Sequence, residues 1–200
     1  KTAGQLYEKA GEYGKASDAY EKAANILREQ GQLDSAISML TGFARRCSNA
    51  WELEHEAWAY MWMAVSLLEA NRTHEALTYR NILQFLASVF ETHIFTWWLA
   101  GAAWWVVAEI DKARDSLDKA VKEYERAGQY LEKAGEYGYA LSAYEKAADI
   151  LISSGKGEEA VELYKTAGQL YEKAGDYYDA SDAYAKAADI LISSGKTEEA

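Results

Sequence analysis

Proline is absent from all 200 residues, and cysteine occurs once. Without proline the chain lacks the ring that kinks or ends a helix, so long uninterrupted helices are open to every segment. A lone Cys47 excludes an intramolecular disulfide framework and fits a reducing, cytoplasmic type of compartment. Positive charge is also scarce, with 21 Lys and Arg against 32 Asp and Glu, a net charge of −11. That balance argues against nucleic acid, whose binders carry a basic footprint, and against anionic membrane surfaces. HExxH, CxxC, phosphate-loop and nucleophile-elbow motifs are all missing. The opening residues, KTAGQLYEK, lack the basic and then apolar pattern of a secretory leader. One long apolar run is present, Ile94–Ala108 (IFTWWLAGAAWWVVA), with four of the seven tryptophans. It is short of the roughly 20 residues needed to cross a bilayer, and Glu91, Glu109 and Asp111 flank it. No membrane span is expected.

What the chain does have is repetition. Residues 129–160 and 169–200 match at a spacing of 40, sharing the run KAADILISSGK, and 1–11 is identical to 165–175. Each unit reads as two helices, A and B. Gly155 and Gly195 mark the turn after A, and Gly135 and Gly175 the turn after B. Alanine and tyrosine at helical spacing supply the buried stripe. The spacing predicts A helices at about 12–30, 52–70, 92–110, 136–153 and 176–193, with B helices at about 33–49, 73–90, 115–134 and 158–174. The frame slips by four residues, which the alignment places in a turn near 111–116. The ends read as partial B helices. The expected architecture is an all-α solenoid of antiparallel helix pairs, about nine helices in one domain over 1–200. Residues 1–50 and 117–200 are consensus-like, and 51–116 are divergent and aromatic-rich.

Alternating helices of this kind resemble the tetratricopeptide class, and the 40-residue unit resembles the helical repeats of the soluble NSF attachment proteins. The resemblance covers nearly the whole chain as helix pairs, through small residues where helices touch and tyrosines between them. The 34-residue pattern with its closing proline is missing, so a membrane-fusion role is not carried over. It also implies that the A helices line the groove. Near-identical repeats without proline have the regularity of a consensus or computed sequence, which points to a designed protein.

Aligning the A helices isolates a row at i, i+3, i+7, i+10, which is one helix face. It reads Lys15, Asp18, Lys22, Asn25 in the first, Tyr139, Ser142, Lys146, Asp149 in the fourth, and Asp179, Asp182, Lys186, Asp189 in the fifth. In the second it becomes His55, Trp58, Trp62, Val65, and in the third Phe95, Trp98, Ala102, Trp105. Aromatic surface has replaced charge, and a large apolar patch attracts partners. In the same alignment the consensus tyrosine (Tyr20, Tyr144, Tyr184) becomes Ala100, and an alanine (Ala24, Ala148, Ala188) becomes Trp104. This is either a shallow floor walled by Trp97, Trp98, Trp104 and Trp105, or a volume-preserving repack.

The expected function is a non-catalytic scaffold. Its aromatic groove, on the second and third A helices, would bind an apolar small molecule or a helical peptide. The alternatives are homodimerisation, the same patch meeting a second copy, and a cofactor protein in which His55 or His93 ligates a haem or related porphyrin. No cofactor and no metal site is the leading expectation, since a lone histidine is weak evidence. His93 stands where Tyr13, Tyr137 and Tyr177 stand in other units, and Cys47 where Tyr171 stands, an inward site. Glu56 replaces Ala16, Ala140 and Ala180, so it is either exposed by a local shift or set to meet a donor.

Overall fold

The computed structural model describes residues 2–196. Alanine, leucine and glutamate are strong helix formers, and the described residues form ten α-helices. They are α1 (Thr2–Lys9), α2 (Tyr13–Glu29), α3 (Leu33–Asn49), α4 (Leu53–Glu69), α5 (Thr73–Phe90), α6 (Trp97–Ala113), α7 (Leu117–Lys133), α8 (Tyr137–Ser153), α9 (Gly157–Ala174) and α10 (Tyr177–Ser193). A 3-10 turn, Ile94–Thr96, precedes α6. The described residues contain no strand, and no helix among them is long and apolar enough to cross a membrane. The expected start of a further B helix at the C-terminal end lies outside the described residues.

Most turns follow one recipe. Within two residues of the helix end a position adopts positive φ, which glycine accepts without a Cβ clash, as at Gly11, Gly31, Gly135, Gly155, Gly175 and Gly195. Three turns use other residues there: Trp51 (φ 64°), Asn71 (φ 59°) and Asp115 (φ 59°).

Asp115 lies 40 residues before Gly155, which places α6 in register with α8 and corrects the expected slip. The extra residues sit before α6, between Phe90 and Trp97, and not at 111–116. Hydroxyls tie that segment down: Thr92 Oγ1 donates to the Val89 carbonyl at 2.7 Å, and Thr96 Oγ1 to the carbonyls of Phe90 (2.8 Å) and His93 (3.0 Å). The third A helix therefore begins at Trp97, four residues later than the alignment places its equivalent.

The chain divides into two compact units, Lys1–Leu86 and Ala87–Ala200. In the first, Tyr20 packs at a tilt against Phe43 (4.6 Å between ring centres) over a core of Ala16, Leu40, Ala44, Cys47 and Met63. Arg46 clamps α1 there, its guanidinium donating to both Glu8 carboxylate oxygens and to the Tyr20 hydroxyl. In the second, Trp104, Tyr124 and Tyr144 are buried between successive helices. Small residues permit this closeness. A Cβ on Gly128 would lie 2.7 Å from the Tyr144 ring, and one on Gly168 2.6 Å from that of Tyr184. Ion pairs recur with the repeat: Asp118–Lys156 at 2.6 Å and Glu158–Lys196 at 2.9 Å, matched in the first unit by Asp34–Arg72 at 2.6 Å. All lie at the surface, where water screens them, so each adds little.

Candidate functional site

The first unit presents the altered row on α4. Trp58 and Trp62 are half-buried and Val65 is 36% exposed. With Arg28, Met61 and Ser66 they line a depression of about 240 Å³. The Arg28 guanidinium sits 5.7 Å from the Trp62 ring centre and donates to Glu69 at 2.7 Å, so one cation serves both groups. Trp58 also packs edge-on against Phe43 at 6.4 Å, which ties the patch to the core.

His55, at the start of the same row, is engaged elsewhere. Its Nδ1 lies 3.1 Å from the Ser17 hydroxyl, and its ring stacks on Tyr13 at 6.2 Å with 19° between planes. His93 is exposed, in extended backbone ahead of the 3-10 turn. Trp97, not His93, takes the place of Tyr137 and Tyr177. No group of three or more His, Cys, Asp or Glu among the described residues is arranged to hold a metal ion.

In the second unit the frame correction redistributes the expected residues. Phe95 is not on α6; it stands in the 3-10 turn, 91% exposed, beside Ile94 at 62%. Trp98, Ala102 and Trp105 do share one face of α6, spaced i, i+4, i+7. Trp98 is 50% exposed. Trp105 packs edge-on against Tyr124 at 5.8 Å, and the Lys146 ammonium, 3.0 Å from Glu109, lies 5.5 Å from its ring centre. Position by position, Trp58 of α4 matches Ala102, Met61 matches Trp105 and Val65 matches Glu109.

The expected exchange of tyrosine for Ala100 and alanine for Trp104 also resolves. In register with α8, Trp104 takes the place of Tyr144, an aromatic for an aromatic, and Ala100 that of Ala140. Trp104 is buried, with Nε1 donating to Glu91 Oε1 at 2.7 Å and Arg126 4.7 Å from its ring centre. Trp97 Nε1 donates to the Glu91 carbonyl at 3.3 Å. Two of the four expected walls are therefore held by the inserted segment. Ala100, Gly101 and Ala103 are buried, and a Cβ on Gly101 would lie 2.6 Å from Leu131, so the small residues seat α7 and form no open floor.

The other departures from consensus are internal. Burial pushes the Cys47 thiol up to about 12, with Glu8, Glu52 and Glu56 adding to it and Arg46 opposing, so it stays protonated and inert. Glu56 is only 8% exposed; burial raises its carboxyl, partly offset by hydrogen bonds with Ser48 and Tyr60.

The repeat alignment did not anticipate the largest cavity among those described. It is a groove of about 870 Å³ between α2 and α3, lined by Ala23, Ile26, Leu27, Ser38, Met39 and Gly42 among others. The signal available in the sequence was Gly42, which stands where α7 has Arg126 and α9 has Thr166.

Helix pairs of this length and register match a known family over 94–200, the soluble NSF attachment proteins. The chain belongs to that family. In this soluble NSF attachment protein relative, residues 3–13 and 16–27 also match the aromatic-di-alanine repeat, the second stretch holding Tyr20 and Ala23-Ala24. Among solved structures, the chain is similar to the nearly identical TPR-like repeats of a Podosopora anserina kinesin light chain. The TM-score is 0.62 at 16% identity, covering 91% of this chain and 90% of that one. A point variant of the same repeats gives 0.62 at 16%, covering 91% and 89%. At that identity the likeness shows the fold: a TPR-like helical repeat. No curated protein matches the sequence significantly.

Proposed function

We propose that this chain is a non-catalytic binding scaffold that takes an apolar helix of a partner protein on the exposed face of α4. TPR-like repeats commonly mediate protein binding, and stacked helices offer long surfaces for it. The observation that carries the reading is the depression of about 240 Å³ formed by Trp58, Met61, Trp62 and Val65, where α8 and α10 carry Ser142, Lys146, Asp182 and Lys186. Half-buried tryptophans are held by the core on one side and lose little entropy when covered on the other. The near-identity of the consensus units supports an artificial origin, and the packing of His55 on Tyr13 and Ser17 supports a structural role over ligation.

The test is to revert Trp62→Lys, the residue found at Lys146 and Lys186, and to titrate with an amphipathic Leu/Lys helical peptide. Intact far-ultraviolet circular dichroism with at least tenfold weaker binding is expected. Loss of the helical signal would make the row core and end the reading. A second reading, self-association, is favoured by the exposed Ile94, Phe95 and Trp98 of the second unit. Phe95→Ser should then abolish any dimer in sedimentation, and a wild-type monomer at high concentration would dismiss it.

A further inference from the structure

The segment that delays α6 does more than lengthen a turn. Among the described residues Phe95 is the most exposed large apolar side chain, at 91%, with Ile94 beside it at 62% and Trp98 at 50%. The segment is nevertheless held in place. Trp97 Nε1 donates to the Glu91 carbonyl at 3.3 Å, Trp104 Nε1 to the Glu91 carboxylate at 2.7 Å, and the Thr96 hydroxyl reaches two carbonyls. An apolar tip fixed before it meets a partner loses little freedom on being covered. From Thr92 to Trp98 the sequence reads THIFTWW, without Asp, Glu, Lys or Arg.

A receptor of matching size and chemistry lies on α4. The depression bordered by Trp58, Met61, Trp62 and Val65 measures about 240 Å³, and a dry apolar cavity of roughly 150 Å³ already holds a benzene ring. Its one charged border residue, Arg28, is engaged by Glu69 at 2.7 Å and by the Trp62 ring. The depression therefore offers no unpaired charge, and the tip brings none. We infer that Phe95, with Ile94 beside it, seats in the α4 depression of a second copy of this chain. The contact rests on the proposed role of α4 as a binding surface and gives that surface an occupant.

Each copy carries one tip and one depression. The contact is therefore head-to-tail and leads to a ring or an open chain of copies, not to a twofold pair. Even two fully covered aromatics, Phe95 and Trp98, supply only roughly 150–250 Å² each, under the ~800 Å² per partner of a stable complex. The association is accordingly weak. Copies of net charge −11 repel one another, so screening by salt strengthens it.

The experiment is sedimentation equilibrium of the 200-residue chain at up to about 1 mM, a concentration that populates weak contacts. Two variants each break one side, Phe95→Ser the tip and Trp62→Lys the depression. The wild type should gain mass with concentration, more so in added salt, and each variant alone should stay monomeric. Their equimolar mixture should form a one-to-one dimer, since one variant keeps the depression and the other the tip. Val65→Lys, at a position 36% exposed, takes the place of Trp62→Lys if that variant loses its helical circular dichroism. A monomeric wild type overturns the proposal, and so does association that salt weakens. A mixture that stays monomeric while the wild type associates also overturns it, because Phe95 would then meet its own copy. Phe95→Ser should still bind the amphipathic Leu/Lys peptide. Peptide binding by that variant beside a monomeric wild type ends the head-to-tail contact and leaves the α4 reading standing; a mixture that pairs but binds no peptide does the reverse.

Discussion

Single side chains carry strain that the consensus units avoid. Trp51 is 86% exposed and sits at φ 64°, where a Cβ is crowded and glycine is free of penalty. Trp51→Gly should therefore stabilise the chain, by up to about 1 kcal/mol, read as a higher urea midpoint at unchanged slope. Glu56 is the second case. Burial raises its carboxyl above the ordinary glutamate range, so the folded chain holds that proton more tightly than the unfolded one. Stability from this group is full below the unfolded value and falls as pH rises through the folded one. Glu56→Gln should be the more stable at pH 7, and the gain should vanish in acid. A variant equally more stable at pH 3 and pH 7 would show that the carboxylate is not the cause.

Among the helices, glycine does opposite things in similar sequence. Gly128 in α7 is pressed against the Tyr144 ring, whereas a Cβ on Gly138 in α8 meets nothing within 4 Å. Gly128→Ala should cost about 1–3 kcal/mol through overpacking, and Gly138→Ala should gain up to about 1 kcal/mol in helix propensity. Amide-exchange protection falling around Gly128 in the first variant and rising at the start of α8 in the second would check the pair. Helix number and type were legible because glycine turns and Ala/Tyr stripes repeat. The register of α6 was not, since Asp115 stands at the closing turn where the consensus units have glycine. The inserted 3-10 turn also leaves no periodic trace. Counting back 40 residues from Gly155 to Asp115, and from Tyr144 to Trp104, would have found it. The apolar strips were visible as charges replaced by aromatics. Which tryptophans are covered depends on Glu91, Arg126 and Lys146, partners that no spacing rule brings together.

At the scale of the whole chain, helices pack chiefly on their neighbours in sequence: α6 on α7, α7 on α8, α8 on α9, α9 on α10. Nearest-neighbour stacking makes stability a sum of local terms. Amide hydrogen exchange should show it as graded protection within 87–196, highest in α7 and α8 and lowest toward the end of α10. Uniform protection across those helices would contradict local additivity. The consequence reaches to heat. A molecule joined link by link opens from its weakest link, so its melting would be broad and would differ between probes. A single melting temperature would describe no one event in it.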